Sequence, residues 1–177
     1  MSRLANVPIQ VPQNITVEVI GQSIIITNGK VKEDWTVHET VQVKHDDGKL
    51  FFSISEENKK DALSRSMLGT DYRHVLNFVN GMHKPFETVL EIHGLGYRAK
   101  LQGKQIVLAL GKSHDDIIEV SEDIQVEVPN EREIKCSSYS KKKLGDFVAM
   151  VASKRKPDPY KAKGIRIRGR HYRTKKD

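Results

Sequence analysis

The sequence is short of the residues that would make it a secreted, membrane-bound or catalytic protein. It has one cysteine among 177 residues, Cys136, so no internal disulfide can form and a reducing compartment fits. Following Ile134 and Lys135, Cys136 reads as a small strand residue rather than a nucleophile. No stretch approaches the ~18 apolar residues of a membrane span. Residues Met1 to Pro8 carry no apolar signal core, so the chain is expected to be soluble and unsecreted. Seven histidines (His38, His45, His74, His83, His93, His114, His171) form no HxH or HxxxH pair, and no CxxC accompanies them. No metal site is expected from that spacing. Asp46-Asp47 and Asp115-Asp116 lie in turn-like stretches and read as turn formers rather than acid–base pairs. Gly94-Leu95-Gly96-Tyr97-Arg98-Ala99 offers two glycines of a dinucleotide fingerprint, but Ala99 fills the third position and a β pattern follows. A P-loop, a G-x-x-G clamp and the aromatic signature of an RNA-recognition motif are all missing. The sequence therefore predicts no enzyme, no cofactor and no small-molecule substrate.

What the chain has instead is positive charge in one place. The formal net charge is +7, with 37% hydrophobic residues, enough for modest cores. Residues 154–177 hold eleven Lys or Arg (Lys154, Arg155, Lys156, Lys161, Lys163, Arg166, Arg168, Arg170, Arg173, Lys175, Lys176) against Asp158 and Asp177, a net of +9. Set against the total of +7, this leaves −2 for residues 1–153. Clustered cations displace condensed counterions from a phosphate backbone, so the tail points to a polyanionic partner. Interleaved Pro, Gly, Tyr and Ile distinguish it from a run that merely solvates a terminus.

The body repeats itself. Gly21-Gln22-Ser23-Ile24-Ile25-Ile26-Thr27-Asn28-Gly29-Lys30 aligns with Gly103-Lys104-Gln105-Ile106-Val107-Leu108-Ala109-Leu110-Gly111-Lys112 at a constant offset of 82 residues. Alternation at Ile15, Val17 and Val19, and at Tyr97, Ala99 and Leu101, predicts that each half opens with a hairpin turning at the first Gly. Further strands are predicted around Trp35–Val43 and Leu50–Ile54, with a turn at Asp46-Asp47-Gly48, and around Ile117–Val120, Ile124–Val128 and Ile134–Cys136, with turns at Ser121-Glu122-Asp123 and Pro129-Asn130.

Each half then reaches a helix. The first is predicted from an N-cap at Ser55, with Glu56 and Glu57 at the positive end of its dipole. Its apolar face would be Leu63, Met67, Val75, Val79 and Met82 beside Leu76, with an interruption at Gly69-Thr70. A second helix from about Ser140 carries Leu144, Phe147, Val148 and Val151 on one stripe and ends by Lys156, because Pro157 disfavours helix before it. A one-face-apolar sheet needs a cover, and one amphipathic helix supplies it. The expected fold is α+β: two tandem, duplicated domains, each an antiparallel or mixed β-sheet covered by one helix, spanning 1–82 and 83–153, with a basic extension at 154–177.

In the tail, Pro157 and Pro159 fix φ and stiffen the exit from the helix. Alternation through Lys163-Gly164-Ile165-Arg166-Ile167-Arg168 puts Arg and Ile on opposite sides of an extended strand, one toward phosphate and one toward protein or sugar. Tyr160 can offer a ring or a hydroxyl, and Gly164 permits close approach. Pro157-Asp158-Pro159-Tyr160-Lys161-Ala162-Lys163-Gly164-Ile165-Arg166 resembles the C-terminal signature of the bacterial-type large-subunit ribosomal protein L-six family. Gly94–Ala99 is similar to that family's interdomain motif, and Leu110-Gly111-Lys112-Ser113-His114 to its following hairpin. The resemblance covers nearly the whole chain. Departures are Ala162 where Gly is usual, Ile167 where an aromatic is usual, Asp115 in place of Pro, and an atypical turn at Asn28-Gly29-Lys30. They suggest a divergent bacterial lineage or an organelle.

The resemblance implies a non-enzymatic constituent of the large ribosomal subunit, bound to rRNA near the stalk base, the factor-binding region and the sarcin–ricin loop. Its partners would be rRNA and neighbouring ribosomal proteins, with translation factors nearby and no membrane. Its place would be a ribosome in the bacterial cytoplasm or, alternatively, in a mitochondrion or plastid. Expected rRNA contacts are Lys154, Arg155, Lys156, Tyr160, Lys161, Lys163, Gly164, Arg166, Arg168, Arg170 and Arg173. Tyr97, Arg98, Lys141, Lys142 and Lys143 are secondary candidates, with core packing an open alternative for Tyr97. The competing reading is an assembly or factor-docking adaptor whose first domain binds protein while the tail anchors it.

Overall fold

A computed structural model describes residues 7–29, 31–55, 58–59, 61–173 and 175. Residues 1–6, Lys30, Glu56, Glu57, Lys176 and Asp177, invoked above, lie outside these. The chain divides into two compact units, Met1–Lys84 and Pro85–Asp177.

In the first unit, β1 (Ile9–Gln10), β6 (Lys49–Ile54) and β5 (Val41–Asp46) form one sheet in that spatial order, and β2 (Thr16–Ile20), β3 (Ser23–Asn28) and β4 (Val31–Thr36) form another. Helix α1 (Ala62–His83) packs on β6 and on β3 to β5. Ile24, Ile26, Leu50 and Val75 are fully enclosed between them. The helix starts later than the sequence suggests. Asp61, not Ser55, is the N-cap, its carboxylate accepting from the backbone N–H of Leu63 and Ser64. The buried stripe is Ser64, Leu68, Asp71, Tyr72, Val75, Val79 and Met82, with Met67 and Leu76 at its margin, and Leu63 faces solvent. Gly69-Thr70 does not interrupt the helix; the Thr70 hydroxyl donates to the Ser66 carbonyl one turn back.

The second unit repeats the plan. Strands β8 (Arg98–Gln102) and β9 (Gln105–Ala109) sit 82 residues after β2 and β3, and the turn glycines Gly21 and Gly103 share one left-handed conformation, φ 60° and 59°. Strand β10 (Asp116–Glu119) completes the sheet β10-β9-β8. Strands β11 (Gln125–Asn130) and β12 (Glu133–Ser138) lie 84 residues after β5 and β6, so the repeat survives with a small insertion. Pro129-Asn130 lies inside β11 rather than in a turn. That is tolerated because β11 is an edge strand and its register shifts between Glu127 and Asn130, where a missing N–H costs no ladder bond. Likewise the predicted run Trp35–Val43 is two strands, broken between Thr36 and Val41.

One strand here was not anticipated, β7 (Phe86–His93), an inner strand of the sheet β11-β12-β7-β13. The extended strand expected over Lys163–Arg168 is β13 (Gly164–Ile167), and it joins that sheet beside β7. Every strand pairing in both units is antiparallel. Helix α2 (Lys141–Ser153) starts where predicted, is capped by the Ser140 hydroxyl, and covers β7, β12 and β13 through Leu144, Phe147, Val148 and Val151.

Candidate nucleic-acid interface

After α2 the backbone folds into a tight loop. The Asp158 N–H donates to the Lys163 carbonyl (2.7 Å), the Ala162 N–H to the Asp158 carbonyl (3.0 Å), and the Tyr160 N–H to Asp158 Oδ1 (2.9 Å). Pro157 and Pro159 cannot donate, which leaves the remaining amides to close this loop. Residues 161–163 are thereby turned out, with Lys161 and Lys163 exposed.

Two positions explain the residue types. A Cβ on Gly164 (φ 131°) would stand 2.6 Å from the Lys156 carbonyl oxygen and 2.8 Å from Pro157 Cα, so the close approach assigned to it is to the chain itself. Ala162, standing where the resemblance leads one to expect Gly, is held at φ 57°, the left-handed region in which a side chain is strained.

From Gly164 the chain enters the sheet. Ile165 pairs with Ile92 and is fully buried, and Ile167 pairs with Leu90 and packs on the same core. The alternation therefore places isoleucine against protein, and Arg166 and Arg168 on the other face. Arg166 lies 5.7 Å over the Tyr172 ring, with Nε and Nη2 buried and unpartnered among the described residues. Arg170 approaches the same ring at 5.9 Å. The Tyr172 hydroxyl accepts from the Ile167 N–H at 2.9 Å and fixes that ring. Together Glu91, His93, Arg166–His171 and Tyr172 line a cavity of about 300 Å³.

Arg168 differs from its neighbours, since it is paired with Glu91 (2.6 Å) and Glu133 (3.2 Å). Lys154 is half-buried, whereas Arg155, Lys156, Arg170 and Arg173 are exposed. Exposed Tyr160 carries the Lys175 ammonium at 5.6 Å from its ring.

The secondary candidates separate. Tyr97 is buried, wedged against the backbones of Gly94 and Gly111, with the Arg155 guanidinium 5.9 Å above its ring. Core packing describes it, while Arg98 beside it is exposed. At the start of α2, Lys141 lies over Phe86 (5.8 Å) and Lys142 is exposed. Lys143 meets Asp123 Oδ2 at 2.9 Å, which together with the Tyr139 hydroxyl holds the Asp123 carboxyl below its ordinary value. Cys136 is buried in β12, and burial pushes its thiol up to about 12. At neutral pH it is protonated, which suits a packing residue and not a nucleophile.

Sequence reasoning missed Glu91 and Glu133. They lie on β7 and β12 and meet the tail only because β13 docks there, a pairing across 77 residues that no local pattern announces.

A sequence profile of the family described as ribosomal protein L6 matches residues 93–167, from the end of β7 through β13. Over nearly its whole length the chain is similar to proteins named large ribosomal subunit protein uL6. Identity is 39% over 175 residues with that of Hahella chejuensis, covering 99% of this chain and 97% of the relative. It is 37% over 169 residues with that of Bradyrhizobium sp. strain ORS 278 (96% and 94%). With that of Rhodopseudomonas palustris strain BisB5 it is 39% over 166 residues (94% and 92%).

Proposed function

Since the chain belongs to the ribosomal protein L6 family, we propose that it is a structural constituent of the large subunit of bacterial ribosomes that grips rRNA through its C-terminal unit. The observation that carries this reading is the concentration of outward cations on an ordered tail. Arg155, Lys156, Lys161, Lys163, Arg170 and Arg173 are exposed, while the intervening Gly164, Ile165 and Ile167 tie their backbone to the sheet. Ordering cations before binding lowers the entropic cost of docking on RNA. Contacts of this kind read phosphate position and helix shape rather than base sequence. The sites on rRNA near the stalk base, the factor-binding region and the sarcin–ricin loop are part of this proposal, as is the extension 154–177 acting as its principal RNA-binding element.

Deleting the tail would remove β13 from the core, so charge neutralisation within the full chain is the cleaner test. If ~5 to 8 tail cations meet phosphates, the logarithm of affinity for large-subunit rRNA falls with log salt at a slope of roughly −4 to −7. Changing Lys161, Lys163, Arg170 and Arg173 to Gln is expected to lower the magnitude of that slope by roughly 3 to 4. An unchanged slope and affinity would refute the reading.

The adaptor reading draws support from charge. Residues 1–84 carry ten Lys or Arg and ten Asp or Glu, a net of zero, which suits a protein partner better than RNA. A protein captured by the intact particle through unit 1, with little salt dependence, would support this second role.

A further inference from the structure

Strands β7 and β12 are in a register that sets Glu91 directly opposite Glu133. Like charges in that position destabilise a sheet unless something neutralises them. Arg168, immediately after β13, crosses over both. Its Nε is 2.6 Å from Glu91 Oε1 and its Nη1 3.2 Å from Glu133 Oε1. Its own N–H donates to the Val89 carbonyl at 2.9 Å, which fixes the point from which the side chain reaches. Other basic side chains share this place: Arg166 stands opposite Glu91 in the β7–β13 register, the His93 ring lies 3.4 Å from Glu91 Oε2, and Arg132, Lys161 and Lys163 line the same surface.

We propose that Arg168 is a positioning residue rather than a phosphate ligand: with Glu91 and Glu133 it forms a clasp that holds the tail strand on the sheet, so these two carboxylates promote RNA binding. The proposal rests on the reading of the tail as the RNA-binding element. A planar guanidinium with several fixed donors can bridge two carboxylates at once, which a single ammonium does poorly. The Glu91 carboxyl is held below its ordinary value first by the Arg168 hydrogen bond, consistent with a pair already made in the free protein. The carboxylates occupy Nε and Nη1, so a phosphate reaching Arg168 without displacing one of them meets only the remaining Nη N–H groups.

The clasp inverts a simple expectation. Removing a carboxylate beside an RNA-binding surface should raise affinity, because it removes repulsion. If the carboxylates act by seating the tail, removal lowers it. The experiment uses the full chain with E91Q, E133Q, their combination and R168K. Exchange of the Ile165 and Arg168 amides is read in the free protein, with the β2–β3 amides as internal reference, and affinity for large-subunit rRNA is read at fixed salt.

For the double variant, tail-amide exchange is expected to rise about three- to tenfold, discounted for partial exposure. Affinity falls by a similar factor despite two fewer negative charges, and R168K behaves like a single Glu variant. Tail amides that exchange as before, or affinity that holds or rises in the double variant, overturn the clasp. Neutralising Lys161, Lys163, Arg170 and Arg173 in parallel keeps the two ideas apart. No effect of those changes on RNA affinity defeats the tail reading, while the exchange data still decide whether Arg168 seats the strand.

Discussion

The two units are built on one plan, and they differ where the tail joins. In unit 1 the sheet under α1 ends at β1, a strand of two residues. In unit 2 the matching position is taken by the eight-residue β7, and a fourth strand, β13, is added beyond it. Unit 1 nets zero charge, so the whole formal +7 of the chain resides in unit 2. The added strand and the added charge arrive in one segment. The two units share a sheet-and-helix body, and only the second carries a strand that both completes a core and presents cations.

Each unit carries its own probe, which lets this contrast be tested. Trp35, the one tryptophan, reports unit 1, and the buried Cys136 thiol reports unit 2. The largest expected effect is Ile165→Ala, which empties a fully buried site between β7 and α2. Such truncations cost about 2–5 kcal/mol. Cys136 should become reactive at lower denaturant while the Trp35 fluorescence transition keeps its midpoint; a shared shift of both would show that the units do not melt separately.

Next is the reverse experiment in unit 1. Asp71 is buried on α1 and accepts from Trp35 Nε1–H (3.1 Å) and from the His38 N–H (3.0 Å). Asp71→Ala leaves both donors without an acceptor, at a cost of about 1–3 kcal/mol. The Trp35 transition should move and Cys136 protection should not. Smallest is Ala162→Gly, which relieves a left-handed alanine. Partly offset by the greater freedom of Gly in the unfolded chain, the gain is about 0.5–1 kcal/mol. It should appear as a higher unfolding midpoint in the Cys136 channel alone.

How much of this was legible in the sequence depended on how local the signal was. Gly21 and Gly103 announced their hairpins because a turn with positive φ selects glycine by itself. The start of α2 near Ser140 was legible because Leu144, Phe147, Val148 and Val151 follow at helical spacing. The start of α1 was ambiguous, since Ser55 and Asp61 are both good cap residues and the apolar stripe, which begins well after both, does not choose between them. Tail charge was plain, and so was the division of Ile165 from Arg166. The destination of Arg168 was not, because its carboxylate partners belong to strands far away in sequence. Strand β7 was overlooked beside the Gly94–Tyr97 motif, although Leu90 and Ile92 alternate with Glu91.

Docking β13 against β7 also has a consequence in time. Synthesis runs from the N-terminus, so β7 exists for roughly 70 residues of elongation, on the order of 4–15 s, before Gly164–Ile167 is made. Until Gly164–Ile167 is made, the Leu90–His93 edge of β7 has no strand partner on that side, an arrangement prone to recruit a strand from another chain. The nascent protein thus passes through a stage in which β7 is open along this edge, and the segment that later covers its Leu90–His93 half is the one in which the positive charge is concentrated.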